Sequence, residues 1–111
     1  MCEQCFDNVS VLVIGFDGYK DVWNHCFKLM NKYWPYRPNT YLATSILKPD
    51  YEKVTVIAAG PDSEWSKKAM TALKSITSKY VLLLLEDFFI SDNVDNEVFN
   101  DTIESIKKYY N

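Results

Sequence analysis

The sequence predicts an α/β domain: a mostly parallel sheet of about four strands with helices on its faces. Three observations point there. The run Tyr80–Leu85 (YVLLLL) is solidly apolar, with no polar alternation. It reads as a strand buried on both faces of a helix-covered sheet. Along the chain, short β-branched apolar runs alternate with segments whose apolar residues recur at helical spacing, which is the α/β pattern. The length of 111 residues suits a single domain spanning residues 1–111, and 48% hydrophobic against 24% charged residues is a globular composition.

The elements follow in order. Residues 9–15 (VSVLVIG) are apolar and β-branched and form the first strand. Residues 16–19 (FDGY) are a turn, with Gly18 suited to a positive φ and Asp17 able to cap the next helix. That helix runs from about residue 19 or 20 to 33. Val22, Cys26, Met30 and Tyr33 form its stripe, and Trp23, Phe27 and Trp34 widen it. Pro35 and Pro38 stop it. Residues 40–46 are the second strand, residues 47–51 a loop, and residues 53–59 the third strand. A turn at residues 60–63 offers Asp62 or Ser63 as a cap for a second helix reaching about residue 77. In that helix Trp65, Ala69, Leu73 and Ile76 line one face, so Trp65 reads as a packing residue. Lys67, Lys68 and Lys74 lie further along, where the helix dipole favours cations. Residues 79–85 are the fourth strand. Asp95 caps a last helix with Phe99, Ile103, Ile106 and Tyr110 as its apolar stripe. The order is β-α-β-β-α-β-α.

Composition excludes several classes. With 12 basic and 15 acidic residues, a net charge of −3 and one arginine (Arg37), the balance argues against nucleic acid as the main partner. The longest near-apolar stretch is broken by Glu86 and Asp87, short of the roughly 20 apolar residues of a membrane span. The Met-Cys-Glu-Gln-Cys start is not that of a signal peptide. A cytoplasmic location is expected, with a site peripheral to the inner face of the membrane as the variant. Cys2 and Cys5 form a lone C-x-x-C that precedes the first strand instead of opening a helix, a weak redox signal. A zinc site would need about four ligands, and the neighbours His25 and Cys26 point apart on a helix. Reduced thiols near the terminus are the plainer reading, and His25, on the polar side of its helix, has no nucleophile placed near it.

Chemistry is expected where the fourth strand ends. In parallel sheets ligands bind beyond the carboxyl ends of the strands. Glu86 and Asp87 stand there, able to hold a divalent cation, to act on a proton, or simply to face solvent at a turn. An aromatic content of 15% and a last helix that closes half of a doubly wound sheet predict an exposed apolar edge or face. Either further chain or a partner, such as a second copy in a homo-oligomer, would cover it.

The residues 11–21 (VLVIGFDGYKD), Trp65-Ser66 and 80–89 (YVLLLLEDFF) together resemble the N-terminal half of bacterial GT-A-fold nucleotide-diphosphosugar glycosyltransferases. These are family 2-like enzymes of surface and capsular polysaccharide synthesis. The resemblance covers nearly all of the chain from residue 9, and the apolar strand ending in Glu-Asp and aromatics is its most specific part. It implies a Rossmann-like partial GT-A fold and the donor-binding half of a catalytic domain. Phe16, Asp17, Tyr19, Trp65 and Ser66 would then border a nucleotide-diphosphosugar donor. Glu86 and Asp87 would stand in for the D-x-D element that grips Mn²⁺ or Mg²⁺ on the diphosphate, Asp87 foremost. Because the element is not D-x-D here, the resemblance leaves metal dependence open. The acceptor would be a glycan or a lipid-linked hydroxyl. The catalytic base lies in the second half of such enzymes, so the 111 residues alone are expected to be inactive.

Three other readings stand beside it. A receiver-like signalling module has similar length and strand-end acids, but needs a fifth strand ending in lysine. A dinucleotide binder needs G-x-G-x-x-G, and the chain has only Gly15, Gly18 and Gly60. A non-catalytic interaction module would dimerise through an exposed sheet edge.

Overall fold

A computed structural model of the chain describes residues 8–61, 64–87 and 89–110, the side chains of Tyr109 and Tyr110 excepted. The C-x-x-C at Cys2 and Cys5, the caps expected at Asp62 or Ser63, the aromatic at Phe88 and the stripe position of Tyr110 lie outside what is described. Strands β1 (Val9–Ile14), β2 (Asn39–Thr44), β3 (Val54–Ala58) and β4 (Tyr80–Leu85) alternate with helices α1 (Lys20–Tyr33), α2 (Trp65–Ser75) and α3 (Asn96–Tyr110) in the order β1-α1-β2-β3-α2-β4-α3. All strand pairs are parallel, and the sheet order is β3-β2-β1-β4. The fold is a small Rossmann-like α/β fold, as the sequence predicts.

The strand order positions everything that follows. From β1 the chain steps outward to β2 and β3, then returns to the other side of β1 for β4. The strand order thus reverses between β1 and β4, and in parallel sheets ligands bind at the carboxyl ends of the strands beside such a reversal.

Residues with apolar side chains on both strand faces let β1 sit at the centre, and every residue of it is buried. On one face Val11, Val13 and Leu42 meet Trp23, Cys26, Phe27 and Met30 of α1, with Trp34 and Ile90. The α1 stripe is thus centred on Trp23, Phe27 and Met30, and Val22 and Tyr33 are its half-buried flanks. Trp34 donates its indole N–H to Asn96 Oδ1 at 2.6 Å and packs edge-on against Phe99, which docks α3 on the same face. On the other face Leu12, Ile14 and Ala43 meet Ala69, Ala72 and Ile76. The 45–53 connection joins two parallel neighbours without a helix. Its Leu47 and Tyr51 pack back on the α1 side, Tyr51 against Phe27 with ring centroids 5.2 Å apart. Lys53, at φ 64°, turns the chain into β3.

Several expectations are corrected. The strand buried on both faces is β1, not β4. Among the described strands β4 is an edge, and Leu83 and Leu85 are 46% and 56% exposed. An unbroken apolar run looks the same in a central and an edge strand; what decides is whether another strand lies beyond it. Helix α2 is rotated from the expected stripe. Lys68, Ala69, Ala72 and Ile76 are buried, whereas Trp65 and Leu73 are exposed. Two alanines let the helix approach the sheet closely, which a Trp65–Leu73 contact face would prevent. The position before α2 is taken by Glu64, whose side chain makes no capping bond. At α3 the expectation holds: Asp95 Oδ1 accepts the N–H groups of Glu97 and Val98 at 2.9 and 3.3 Å.

The glycines divide by cause. Gly60, at φ 114°, needs the left-handed region after β3. Gly18 does not take a positive φ; it lies in the 3-10 turn Asp17–Tyr19, where a Cβ would meet the Phe16 ring. Gly15 is required by packing, since a Cβ there would lie 2.5 Å from Trp23 Nε1. Trp23 is fully buried and cannot give way cheaply. Gly15→Ala is therefore expected to destabilise the fold by about 1–3 kcal/mol, read as a lower urea midpoint with an unchanged slope.

Candidate functional site

Three connections meet at the carboxyl ends of the strands: residues 15–19 after β1, the start of α2 after β3, and Glu86-Asp87 after β4. Glu86 crosses the β1–β4 crevice. Its Oε1 accepts the Trp23 indole N–H at 2.6 Å and the Phe16 backbone N–H at 3.1 Å. A buried indole N–H requires an acceptor, and the odd-even alternation of β4 turns Glu86 to the α1 face where Trp23 lies. Its Oε2 has no described partner. Asp87 is exposed, and its carboxylate makes no described hydrogen bond.

Asp17 is not the cap of α1. The 3-10 turn moves the start of α1 to Lys20, and the cap position there, Tyr19, makes no side-chain bond. The Asp17 carboxylate instead reaches the loop after β2. Oδ1 accepts the Ser45 N–H at 2.9 Å, and Oδ2 accepts those of Ile46 and Leu47 at 2.9 and 3.1 Å. Burial works to raise this carboxyl. The three N–H groups and the nearby Lys68 ammonium outweigh it and hold the group below the ordinary aspartate range. Asp17 thus ties the 15–19 connection to the loop after β2.

Lys68 is the residue sequence reasoning missed. It is 3% exposed. Its ammonium donates to the Gly15 carbonyl at 2.8 Å and sits 5.3 Å from the centroid of the Phe16 ring. No other described group accepts from its three N–H donors. Phe16 and Tyr19 are both more than half exposed, with ring centroids 5.4 Å apart. Trp65, one helical turn before Lys68, is 49% exposed. Of these exposed aromatics Phe16 is the one that meets the buried ammonium, and Tyr19 packs on Phe16. The structure joins Phe16, Tyr19 and Glu86 through direct contacts. It sets Trp65 and Ser66 at the start of α2, exposed and without described hydrogen bonds to the others.

Elsewhere a cleft of about 630 Å³ lies between the first turns of α1 and the 47–51 loop, lined by Lys20, His25, Lys48 and Tyr51 among others. His25 is exposed and Cys26 buried, as their helical positions dictate. Burial raises the Cys26 thiol to about 11, so it stays protonated near neutral pH. Among the described residues no three or more His, Cys, Asp and Glu side chains gather as a metal site. No helix among them is long and apolar enough to cross a membrane. Compared with protein-family models, curated proteins and solved structures, the chain matches none.

Proposed function

We propose that the chain binds the diphosphate of a nucleoside-diphosphate sugar in the β1–β4 crevice, as the donor-binding part of a glycosyltransferase. The observation that carries this reading is Lys68: a buried ammonium, anchored by the Gly15 carbonyl, beside the strand-order reversal where α/β folds bind ligands. Spare N–H donors on a fixed cation suit phosphate oxygens. Phe16, Tyr19 and Trp65 offer ring faces on which a base can stack.

Charge requires a further cation. Asp17, Glu86 and Asp87 ring the same end of the sheet, and one ammonium does not offset them together with a diphosphate. The uncommitted Glu86 Oε2 and the exposed Asp87 suit Mg²⁺ or Mn²⁺, which take one or two protein carboxylates and fill the remaining positions with phosphate and water. Such a cation would meet the charge that develops on the departing diphosphate. The donor would pass its sugar to a glycan or lipid-linked hydroxyl, and the base for that step is not assigned to any described residue.

Titration calorimetry with nucleoside diphosphates and with the matching monophosphates tests this. Binding of a diphosphate that tightens when Mg²⁺ or Mn²⁺ is added is the expected result. Absence of binding by every diphosphate at millimolar concentration, with and without cation, would overturn it.

A further inference from the structure

The cleft between α1 and the 47–51 loop has walls that the fold holds in place. One wall is the start of α1. The other belongs to the connection from β2 to β3, which contains no helix. That loop is pinned at both ends. Leu47 donates its N–H to Asp17 Oδ2 at 3.1 Å, and its carbonyl accepts the Thr44 hydroxyl at 2.5 Å. Tyr51 packs on Phe27 of α1, and its carbonyl accepts the Val54 N–H at 3.2 Å. The space of about 630 Å³ between the walls is therefore preformed, and its size is that of a small-molecule site. Its rim gathers donors. Lys20 and His25 of α1 and Lys48 of the loop line it, all three exposed. The chain has a net charge of −3 and one histidine, so two ammoniums and that imidazole at one cleft run against the overall balance. Among the described residues, none of these three side chains is engaged in a hydrogen bond or ion pair. The Tyr51 phenol is a fourth donor. Burial, and after it the Asp21 carboxylate, raise this group above its ordinary value, so it keeps its proton. Asp21 and Asn24 supply acceptors on the same rim.

We propose that this cleft binds a small phosphorylated sugar, its phosphate held by Lys20 and Lys48 and its hydroxyls by Asp21 and Asn24. The two ammoniums come from separate walls and meet one phosphate from two sides. Hydrogen bonds to a charged acceptor of this kind are the stronger class. The acid on the same rim sets the rest of the ligand. A carboxylate repels a bare anion, and favours one that brings hydroxyl donors along with its charge. A neutral sugar would leave both ammoniums unused, and a bare phosphate would leave the acceptors unused. His25 and the Tyr51 hydroxyl are the further donors within the cleft. The cleft shares none of its lining residues with those assigned above to a diphosphate, a base or a cation. Trp23, on the cleft wall, lies between the two sites through its bond to Glu86. The inference does not rest on nucleotide binding.

Amide NMR titration of the full chain with glucose-6-phosphate, glucose-1-phosphate, inorganic phosphate and glucose tests it. A glucose phosphate is expected to shift residues 20–25 and 47–51 at lower concentration than phosphate or glucose alone. Lys20→Ala together with Lys48→Ala is expected to weaken that binding by about tenfold or more. Asp21→Asn is expected to tighten inorganic phosphate and to narrow the preference for the sugar phosphate over it. All of these substitutions change exposed side chains, so the variants are expected to keep the amide spectrum of the folded chain. No response of the cleft to either glucose phosphate at tens of millimolar, or an unchanged affinity in the double-lysine variant, overturns the proposal. Equal affinity for the glucose phosphates and inorganic phosphate makes this a site for small anions alone and overturns the sugar. A diphosphate in the β1–β4 crevice would be read at other amides, so failure of either reading is seen separately.

Discussion

Replacing Asp17 with alanine is expected to lower the unfolding free energy by roughly 2 kcal/mol. The carboxylate accepts three backbone N–H groups in the loop after β2, those of Ser45, Ile46 and Leu47. Hydrogen bonds to a charged acceptor are worth about 1.5–3 kcal/mol each when desolvated. This set is partly open to solvent, and water can replace the carboxylate at Ile46, which keeps the total near the value of a single strong bond. Asp17→Asn retains an oxygen but loses the charge, and is expected to fall between wild type and alanine. The pH dependence follows from the lowered native pKa. In the unfolded chain the group titrates near 3.9. Above that value the carboxylate is ionised in both states and its full contribution is present. As pH falls through that value toward the lower native one, the unfolded state takes up protons first and the contribution is lost. The stability gap between wild type and Asp17→Asn in urea melts should therefore be constant near neutral pH and shrink below about pH 4.

Lys68→Met is expected to weaken nucleoside diphosphate binding by about ten- to a hundredfold, a loss of about 1.4–2.8 kcal/mol. The substitution keeps length and apolar bulk while removing the ammonium that contacts the Gly15 carbonyl and faces the Phe16 ring. Affinity for the nucleoside alone should hardly change, because its recognition is assigned to the aromatic rings. Stability should change little as well. The variant gives up one bond to a carbonyl at the strand end but no longer buries a charge. A large loss of stability with unchanged relative affinities for nucleoside and diphosphate would return Lys68 to a structural role. Calorimetry with the three ligands, alongside urea melts, separates the outcomes.

The elements were legible because each has a local signal. Apolar runs gave four strands, helical spacing gave three helices, and Asp95 capped its helix as its position implied. Less was legible where long-range arrangement decides. The run 80–85 does not carry the information that nothing described lies beyond it, so its exposed leucines read as core. Asp17 stands before a helix and reads as a cap, but the partners it takes lie almost thirty residues away, after β2. Lys68 reads as one of several lysines on a polar helix face. Its burial depends on α2 being rotated to press Ala69 and Ala72 on the sheet, which swings Lys68 inward and Trp65 outward. Small residues at 69 and 72 were the available signal for that rotation. Glu86 was recognised as a strand-end acid, but its bond to the Trp23 indole depends on Trp23 being buried on the sheet face to which Glu86 turns.

The most direct measurement is an amide NMR titration of the chain with UDP and other nucleoside diphosphates, in the presence and absence of Mg²⁺. Diphosphate binding in the β1–β4 crevice predicts shifts concentrated at residues 15–19, 65–68 and 86–87, enlarged by the cation. A folded spectrum that does not respond, or shifts confined to the cleft between α1 and the 47–51 loop, would contradict it.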